Sequence, residues 1–306
     1  MAQGFILIDA LNIVHAANSN KSLNVGGVPT QATYGFLRSL RLAAAAYPQL
    51  KPLVLHDGRS WRYKAFEGYK ASRSKPATTA AEIKTAAARD EAKMQVPYIR
   101  RALKLLGVTQ INTLNLEADD LAAMMVRRLK PGTKALLLSG DKDWVQLVGP
   151  NVTWFDPIRD LRISPATIEK ELEVKTPRAF LEVKALMGDP SDDIPGVGGI
   201  GVKGAKELVN TYGSVTEFLN RAALEPGLKL QKKFEDLALS TEKQEIFSRN
   251  MRLMDLNHGS VPAPLDLKVD HGEYDEEGFA DFCAELMFKS ILSDLSGWAE
   301  PFRRGK

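Results

Sequence analysis

Nine carboxylates fall where a parallel sheet would gather them. Asp9 closes the apolar run GFILID and Asp57 closes PLVLHD. Glu117, Asp119 and Asp120 follow TQINTLN, and Asp141 and Asp143 follow KALLLS. Asp189 and Asp192 open the stretch GDPSDDIPGVGGIGVKG, residues 188–204. A single Asp at a strand end is an ordinary turn or N-cap residue, and first-turn acids complement the helix dipole. Four consecutive strand ends finishing in acid are not explained that way. Crowded carboxylates repel and raise one another's pKa, so such a rim needs cations to neutralise it. An all-oxygen ligand set points to Mg²⁺, with Mn²⁺ as substitute. His15, His56, His258 and His271 are scattered and show no zinc spacing. Two such ions, about 3.5–4 Å apart, activate water and stabilise the leaving oxygen in phosphodiester hydrolysis. Glu117 and Asp120 stand at i, i+3 and are expected to share one ion site.

The elements that must position these acids are legible in the apolar spacing. GFILID, PLVLHD, TQINTLN and KALLLSGD read as strands, with helical patterns at TQATYGFLRSLRLAAAAY and ADDLAAMMVRRL between them. This alternation predicts an α/β fold: a mostly parallel central sheet with ligands at the carboxyl ends of its strands. Beyond about residue 165 the pattern turns helical, through TPRAFLEVKALMG, GAKELVNTYG, TEKQEIFSRNMRLMDL and EEGFADFCAELMF. We therefore expect a core at 1–175 with an insertion at about 60–105, then a helical DNA-binding domain at 176–306. The middle of the insertion, ASRSKPATTAAE, is polar and reads as a mobile loop.

The 306 residues are 44% hydrophobic, enough for a proper core. Cys283 is the single cysteine, expected as a small core residue, and no disulfide is possible within the chain. The N-terminus has no basic segment before its apolar run, and no run approaches a membrane span, so the expectation is a soluble, cytoplasmic monomer. Net charge is only +3, but Arg59–Lys75 holds six basic residues and one acid, Glu67. Local charge of this kind steers polyanions. Trp61, Phe66 and Tyr69 lie within it, placed either to stack on bases or to anchor the insertion to the body.

The stretch 188–204 also matches Gly-x-Gly-x-x-Gly, but the dinucleotide fingerprint needs a strand before it, and here a helix precedes. Val202 rather than Lys follows Gly201, so a phosphate-binding Walker loop fails too. A glycine-turned helix pair fits better. Gly196, Gly198, Gly199 and Gly201 permit a tight turn at 194–205, and the following helix offers free N–H groups to a phosphate. Lys203 and Lys206 add charge, and the binding would be sequence-independent.

Together these residues resemble the 5′-nucleases: bacterial and phage 5′–3′ exonucleases, flap endonucleases and the 5′-nuclease domain of DNA polymerase I. LIDALN, HDGRSWRYKAFEGYKASR, LEADDLAA, LSGDKDWVQLV and LMGDPSDDIPGVGGIGVKGA carry the resemblance in order and spacing. It implies two Mg²⁺ ions. Glu117, Asp119, Asp9 and Asp57 look like ligands nearer the first ion, and Asp141, Asp143, Asp189 and Asp192 like those of the second. It implies a helical arch over the site, with Lys70 and Arg73 at the scissile phosphate and Arg62 and Tyr69 in neighbouring matched positions. The glycine turn matches a helix–three-turn–helix motif that grips duplex DNA and, in relatives, a K⁺ ion. The implied substrates are DNA with a 5′ flap, nick or free 5′ end, and RNA–DNA primers. His15 and Ala16 stand where the family often has arginine, and Asp193 where it usually has Asn, so Asp193 is not counted as a ligand. The expectation is a free-standing nuclease with no polymerase domain following. The alternatives are a catalytically weak DNA-junction binder and a ribonuclease with a compact acidic α/β core.

Overall fold

The computed structural model describes residues 4–18, 23–225 and 227–303. In chain order its main elements are β1 (Gly4–Asp9), α1 (Ala10–Ala17), α2 (Gln31–Ala46), β2 (Leu50–His56), α3 (Ala80–Met94) and α4 (Val96–Leu105). There follow β3 (Thr109–Asn112), α5 (Ala118–Arg127), β4 (Lys134–Leu138), β5 (Val152–Asp156) and β6 (Leu161–Ile163). The remainder is α6 (Pro177–Met187), α7 (Val202–Tyr212), α8 (Val215–Leu224), α9 (Lys232–Leu239), α10 (Thr241–Met254), β7 (Lys268–Asp270), α11 (Glu276–Glu285) and α12 (Leu295–Arg303).

One sheet runs β7–β3–β2–β1–β4–β5–β6. The β3, β2, β1, β4 and β5 strands are mutually parallel, and both edges are antiparallel. β1 is an almost unbroken buried run because helices cover both faces. The chain winds outward from β1 through β2 to β3, then returns to place β4 on the other side of β1. That reversal opens a crevice beyond the carboxyl ends of β1 and β4, the usual ligand position in such sheets. Asp9 and Asp141 stand there.

Two hydrophobic cores result, one on each face. The first joins Leu7, Leu55 and Leu137 of the sheet to α5, Trp144, Trp154 and the helical region from α6 to α10. The second joins Ile6, Ile8 and Val54 to α1, α2, α4 and the last helices, through Phe36, Leu103, Phe279, Phe282 and Cys283. The C-terminal segment therefore departs from the expected single helical unit at 176–306. β7 pairs with β3, and α11 and α12 pack back on the α/β core. EEGFADFCAELMF is amphipathic as expected, but periodicity does not say which apolar face it covers. Cys283 is buried in that second core, as its spacing implies.

The insertion is also more ordered than its composition suggests. TTAAE is a capping box: Thr79 accepts from the Glu82 amide, and the Glu82 carboxylate accepts from the Thr79 amide. It starts the fifteen-residue α3 at Ala80, so the last three residues of the stretch read as a loop are helical. No helix among the described residues is long and apolar enough to cross a membrane.

The glycine turn splits into two kinds of position. Gly196 packs so closely that an added Cβ would lie 2.3 Å from the Met187 carbonyl oxygen. Gly198 has φ +74° but open space around it. Gly196→Ala is expected to destabilise the fold by about 1–3 kcal/mol through overpacking. Gly198→Ala should lose only about 1 kcal/mol from its left-handed backbone. Urea unfolding of both variants checks that order, and a Gly198 variant weaker than the Gly196 variant would contradict it.

Candidate active site

Eight of the nine acids line one open cavity of ≈ 1090 Å³ at the crevice: Asp9, Asp57, Glu117, Asp119, Asp141, Asp143, Asp189 and Asp192. Local structure fixes four of them. Asp9 ends β1 and caps α1, its carboxylate accepting from the Asn12 amide at 3.1 Å and the Ser139 hydroxyl at 2.9 Å. Asp57 accepts from the Ala118 amide at 2.7 Å, the first turn of α5. The indole of Trp144 donates to Asp119, and Asp141 accepts from the Asp143 amide at 2.8 Å. Burial, then Asp57, pushes Asp9 up to about 8. Burial, then Asp143, pushes Asp141 up to about 7. Burial and the facing Asp141 and Asp9 carry Asp119 well above the carboxylate range. No ion pair among the described residues reaches any of these four.

The other half of the rim is neutralised from within. Lys70 Nζ lies 2.6 Å from Glu117 Oε1 and 3.7 Å from Asp192 Oδ1. Lys184 Nζ bridges Asp143 and Asp189, 2.9 Å from the latter's Oδ2. Arg73 donates to Asp192 Oδ1 at 3.0 Å and to the Ser191 carbonyl at 3.1 Å. Burial would raise Glu117, but Lys70 and then Arg62 outweigh it and hold it below its ordinary value. Asp189 is likewise lowered against burial, by Lys184 and the Ser191 hydroxyl. Asp192 stays raised by burial despite Lys70. These ammonium groups stand in for cations, and the donors around them are oxygens only, so the residues fit hard divalent ions. Among the described residues no three acids already close around one point. Lys184 carried no sequence signal of its own, because its place between two acids depends on how α6 packs. Ser139, Asn12 and Trp144 went unnoticed for the same reason.

Asp120, Arg62 and Tyr69 depart from expectation. Asp120 is buried away from the cavity; its carboxylate accepts from the Glu117 amide at 3.2 Å and takes both arms of Arg62 at 2.8 and 3.0 Å. Position N3 folds back onto the N-cap, so the i, i+3 pair makes a helix-start bond rather than one ion site. Arg62 is 3% exposed, and its Nε donates to the Leu253 carbonyl at 2.7 Å. It ties the insertion to α10 and cannot reach DNA from there. Tyr69 is 2% exposed and donates to Glu117 Oε2 at 2.9 Å. Arg62 lies over Trp61, and Arg249 over Phe66, so the aromatic cluster is an anchor to the body.

Lys70 and Arg73 do face the cavity, as expected. Lys70 has φ +52°, and its amide donates to the Asp192 carbonyl at 2.9 Å. Asp193 is turned away and accepts from the Ser72 amide. The opposite wall is mainly basic: Arg59, and Arg89 and Lys93 of α3, with one acid, Asp90, between them. Burial, then Lys93 and Arg89, lowers the pKa of His15. Arg89 and Lys93 stand at i, i+4, a helical spacing that would have flagged them. Beside the cavity, Val197 and Ile200 are buried and push Gly198 and Gly199 outward. Gly201 is the N-cap of α7, with Lys203 exposed in its first turn. Lys206 is drawn to Glu173 at 2.7 Å.

Comparison with known proteins places the chain. A family profile described as "5'-3' exonuclease, N-terminal resolvase-like domain" matches residues 4–175. A second, "5'-3' exonuclease, C-terminal SAM fold", matches residues 175–275. The thermostable DNA polymerase I of Thermus thermophilus is 31% identical over 277 residues, 88% of this chain but 30% of the polymerase. The chain thus spans about a third of that protein. The 5′–3′ exonuclease of Aquifex aeolicus is 31% identical over 277 residues, 88% of this chain and 86% of the relative. A crystal structure of the bacteriophage T5 flap endonuclease with DNA and metal ions shares the fold at TM-score 0.64 and 21% identity, covering 97% of this chain and 99% of that one.

Two expectations follow from the geometry. Arg62→Met leaves Asp120 buried and unpaired and should destabilise the chain by about 3–5 kcal/mol, with Arg62→Met/Asp120→Leu recovering most of it. Urea midpoints of the two variants decide this, and a double variant no better than the single would refute the pairing. The second expectation concerns pH. Asp9 and Asp141 bind protons more tightly folded than unfolded, so their contribution is complete below about pH 4 and is lost as pH rises through about 7 to 8. Glu117 and Asp189 act oppositely, losing stability only on acidification. With chelator present, the melting temperature should therefore fall between pH 5 and pH 8, and saturating Mg²⁺ should flatten that slope.

Proposed function

The chain belongs to the 5′–3′ exonuclease family, and from that premise we propose that it is a structure-specific 5′-nuclease hydrolysing DNA phosphodiesters at 5′ flaps, nicks and free ends. The observation that carries this reading is the eight-acid floor with lysine ammonium groups lodged among it, beneath a basic roof. Such a cavity takes cations and a polyanion together. Asp9, Asp57, Glu117 and Asp119 would hold one Mg²⁺, and Asp141, Asp143, Asp189 and Asp192 a second. When bound, the ions supply an activated water and charge stabilisation at the leaving oxygen.

The chain's own groups do the positioning. The duplex rests on the glycine turn, where the amides at the start of α7 and the exposed Lys203 take backbone phosphates without reading bases. The 5′ strand passes beneath α3, between Arg89 and Lys93 above and the acids below. Lys70 and Arg73, at the foot of the insertion, meet the scissile phosphate. Their present partners, Glu117 and Asp192, are the carboxylates they would leave as cations enter. The phosphates arriving in exchange keep both side chains charged and paired. Trp144 and Ser139 each hold one acid of the floor, and Asn12 accepts from the Gly140 amide beside Asp141, which is the fixed support a preorganised site requires.

Single-turnover cleavage of a 5′-labelled flap duplex, with Mg²⁺ or chelator, tests the reading. Cutting near the flap junction should require the metal. Asp143→Ala should lower the rate about 10³-fold or more, since several kcal/mol of charge stabilisation depend on that half of the rim, while flap binding persists. Tight binding without turnover in Mg²⁺ or Mn²⁺ would make the chain a junction binder instead. A strong preference for single-stranded RNA would make it a ribonuclease.

A further inference from the structure

The helix that forms the roof of the cavity is held by little apolar contact. Of the fifteen residues of α3, Ala92 is the buried one. Hydrophobic burial, the ordinary means of fixing a helix, therefore acts only at its last turn. The first foot of the insertion is bonded to the loop at Asp192 and Asp193 through the Lys70 and Ser72 amides. The second foot rests on a polar network. Asn18 donates from Nδ2 to the Ala88 carbonyl of α3 at 3.0 Å. Gln31, at the start of α2, donates from Nε2 both to Asn18 Oδ1 at 2.7 Å and to the Glu91 carboxylate of α3. Gln95, wholly buried between α3 and α4, donates to Asn18 Oδ1 at 3.2 Å and accepts from the Thr33 amide at 3.1 Å.

The orientation of the Gln31 amide is over-determined. Its nitrogen faces two acceptors, so its oxygen is left buried without a hydrogen-bond partner. Buried unsatisfied polar atoms are rare and disfavoured, and this one is accepted to keep the nitrogen aimed at Glu91. Glu91 lies between Arg89 and Lys93 in sequence, the two cations that α3 presents to the cavity. A change in how Glu91 is held therefore moves both.

We infer that Asn18, Gln31, Glu91 and Gln95 are positioning residues that set where Arg89 and Lys93 stand above the acid floor, and so govern cleavage of a strand that passes beneath α3. This rests on the proposed function for the identity of that strand. The network touches neither the acids nor the glycine turn, so its loss should separate flap cleavage from duplex binding.

The test compares Glu91→Ala and Gln31→Ala with Glu91→Gln, which keeps a carbonyl oxygen for Gln31. Each is assayed by single-turnover cleavage of a 5′-flap duplex and by equilibrium binding of a flapless nicked duplex. Both alanine variants should cleave the flap at least about tenfold more slowly, because misplaced groups lose rate steeply. Nicked-duplex binding should stay within about twofold, as distant sites act independently. Glu91→Gln should stay within about threefold of the unaltered rate, since one neutral acceptor replaces a charged one. Amide hydrogen exchange across 84–94 should rise in the alanine variants and not in Glu91→Gln. Unchanged flap rates in both alanine variants, or a Glu91→Gln rate as low as that of Glu91→Ala, would overturn the inference. If the unaltered chain does not cut flaps at all, the functional reading fails by itself. The anchor is then decided by exchange: faster exchange in the alanine variants supports it, and none removes it.

Discussion

Mutual repulsion among carboxylates at one end of a parallel sheet is the constraint around which this molecule is organised. Four of them, Asp9, Asp57, Asp119 and Asp141, have no ion-pair partner among the described residues, and of these Asp9 is buried. The other four are drawn toward Lys70, Lys184 and Arg73. The rim is thus divided into a half without ion-pair partners and a half with them. Crowding like charges is tolerable only when they are supported, and the support is extensive: a helix-start amide, an indole N–H and a serine hydroxyl each hold one carboxylate.

The architecture serves that end. A parallel sheet brings successive strand ends to one side, and the reversal of winding at β1 leaves room between them. The helical region contributes Asp189 and Asp192 from a loop pinned by the short Gly188–Ile194 turn, and it supplies Lys184 from α6. Arg62 then locks the two parts together, reaching the acid-bearing α5 through Asp120 and the helical region through the Leu253 carbonyl. The joint is made one residue away from Asp119, so the geometry of the rim and the docking of the two parts are one problem with one solution.

Much of this was legible in the sequence, for a reason that can be stated. Strand ends, apolar runs and acids are local features, and their order along the chain maps directly onto a parallel sheet. What failed to transmit was anything decided by direction or by distant packing. Asp120 shares a helix turn with Glu117, yet the capping geometry sends it toward Arg62 rather than the cavity. Arg62 and Tyr69 lie in a basic, aromatic stretch of the kind that meets nucleic acid, but both side chains face inward. Lys184 looks like any lysine on an amphipathic helix until α6 is packed. The T-x-x-E start of α3 was readable by rule, and its polar surroundings hid it. The C-terminal helices were recognised as helices, while their return to the second core was invisible to periodicity.

That return has a consequence for how the protein is made. The face of the sheet covered by α1, α2 and α4 shares its core with Phe279, Phe282, Phe288 and Phe302, which come from the last thirty residues described. β7 likewise supplies a partner to β3 from about 160 positions further along the chain. Contacts of such separation close late in folding. As the chain leaves the ribosome, one face can seal once α6 to α10 have emerged, while the other keeps Phe36, Leu37 and Leu103 without their lid until residues 279–302 have followed. The nascent chain therefore carries an open apolar surface until those residues emerge, and shelter by a chaperone matters most during that interval.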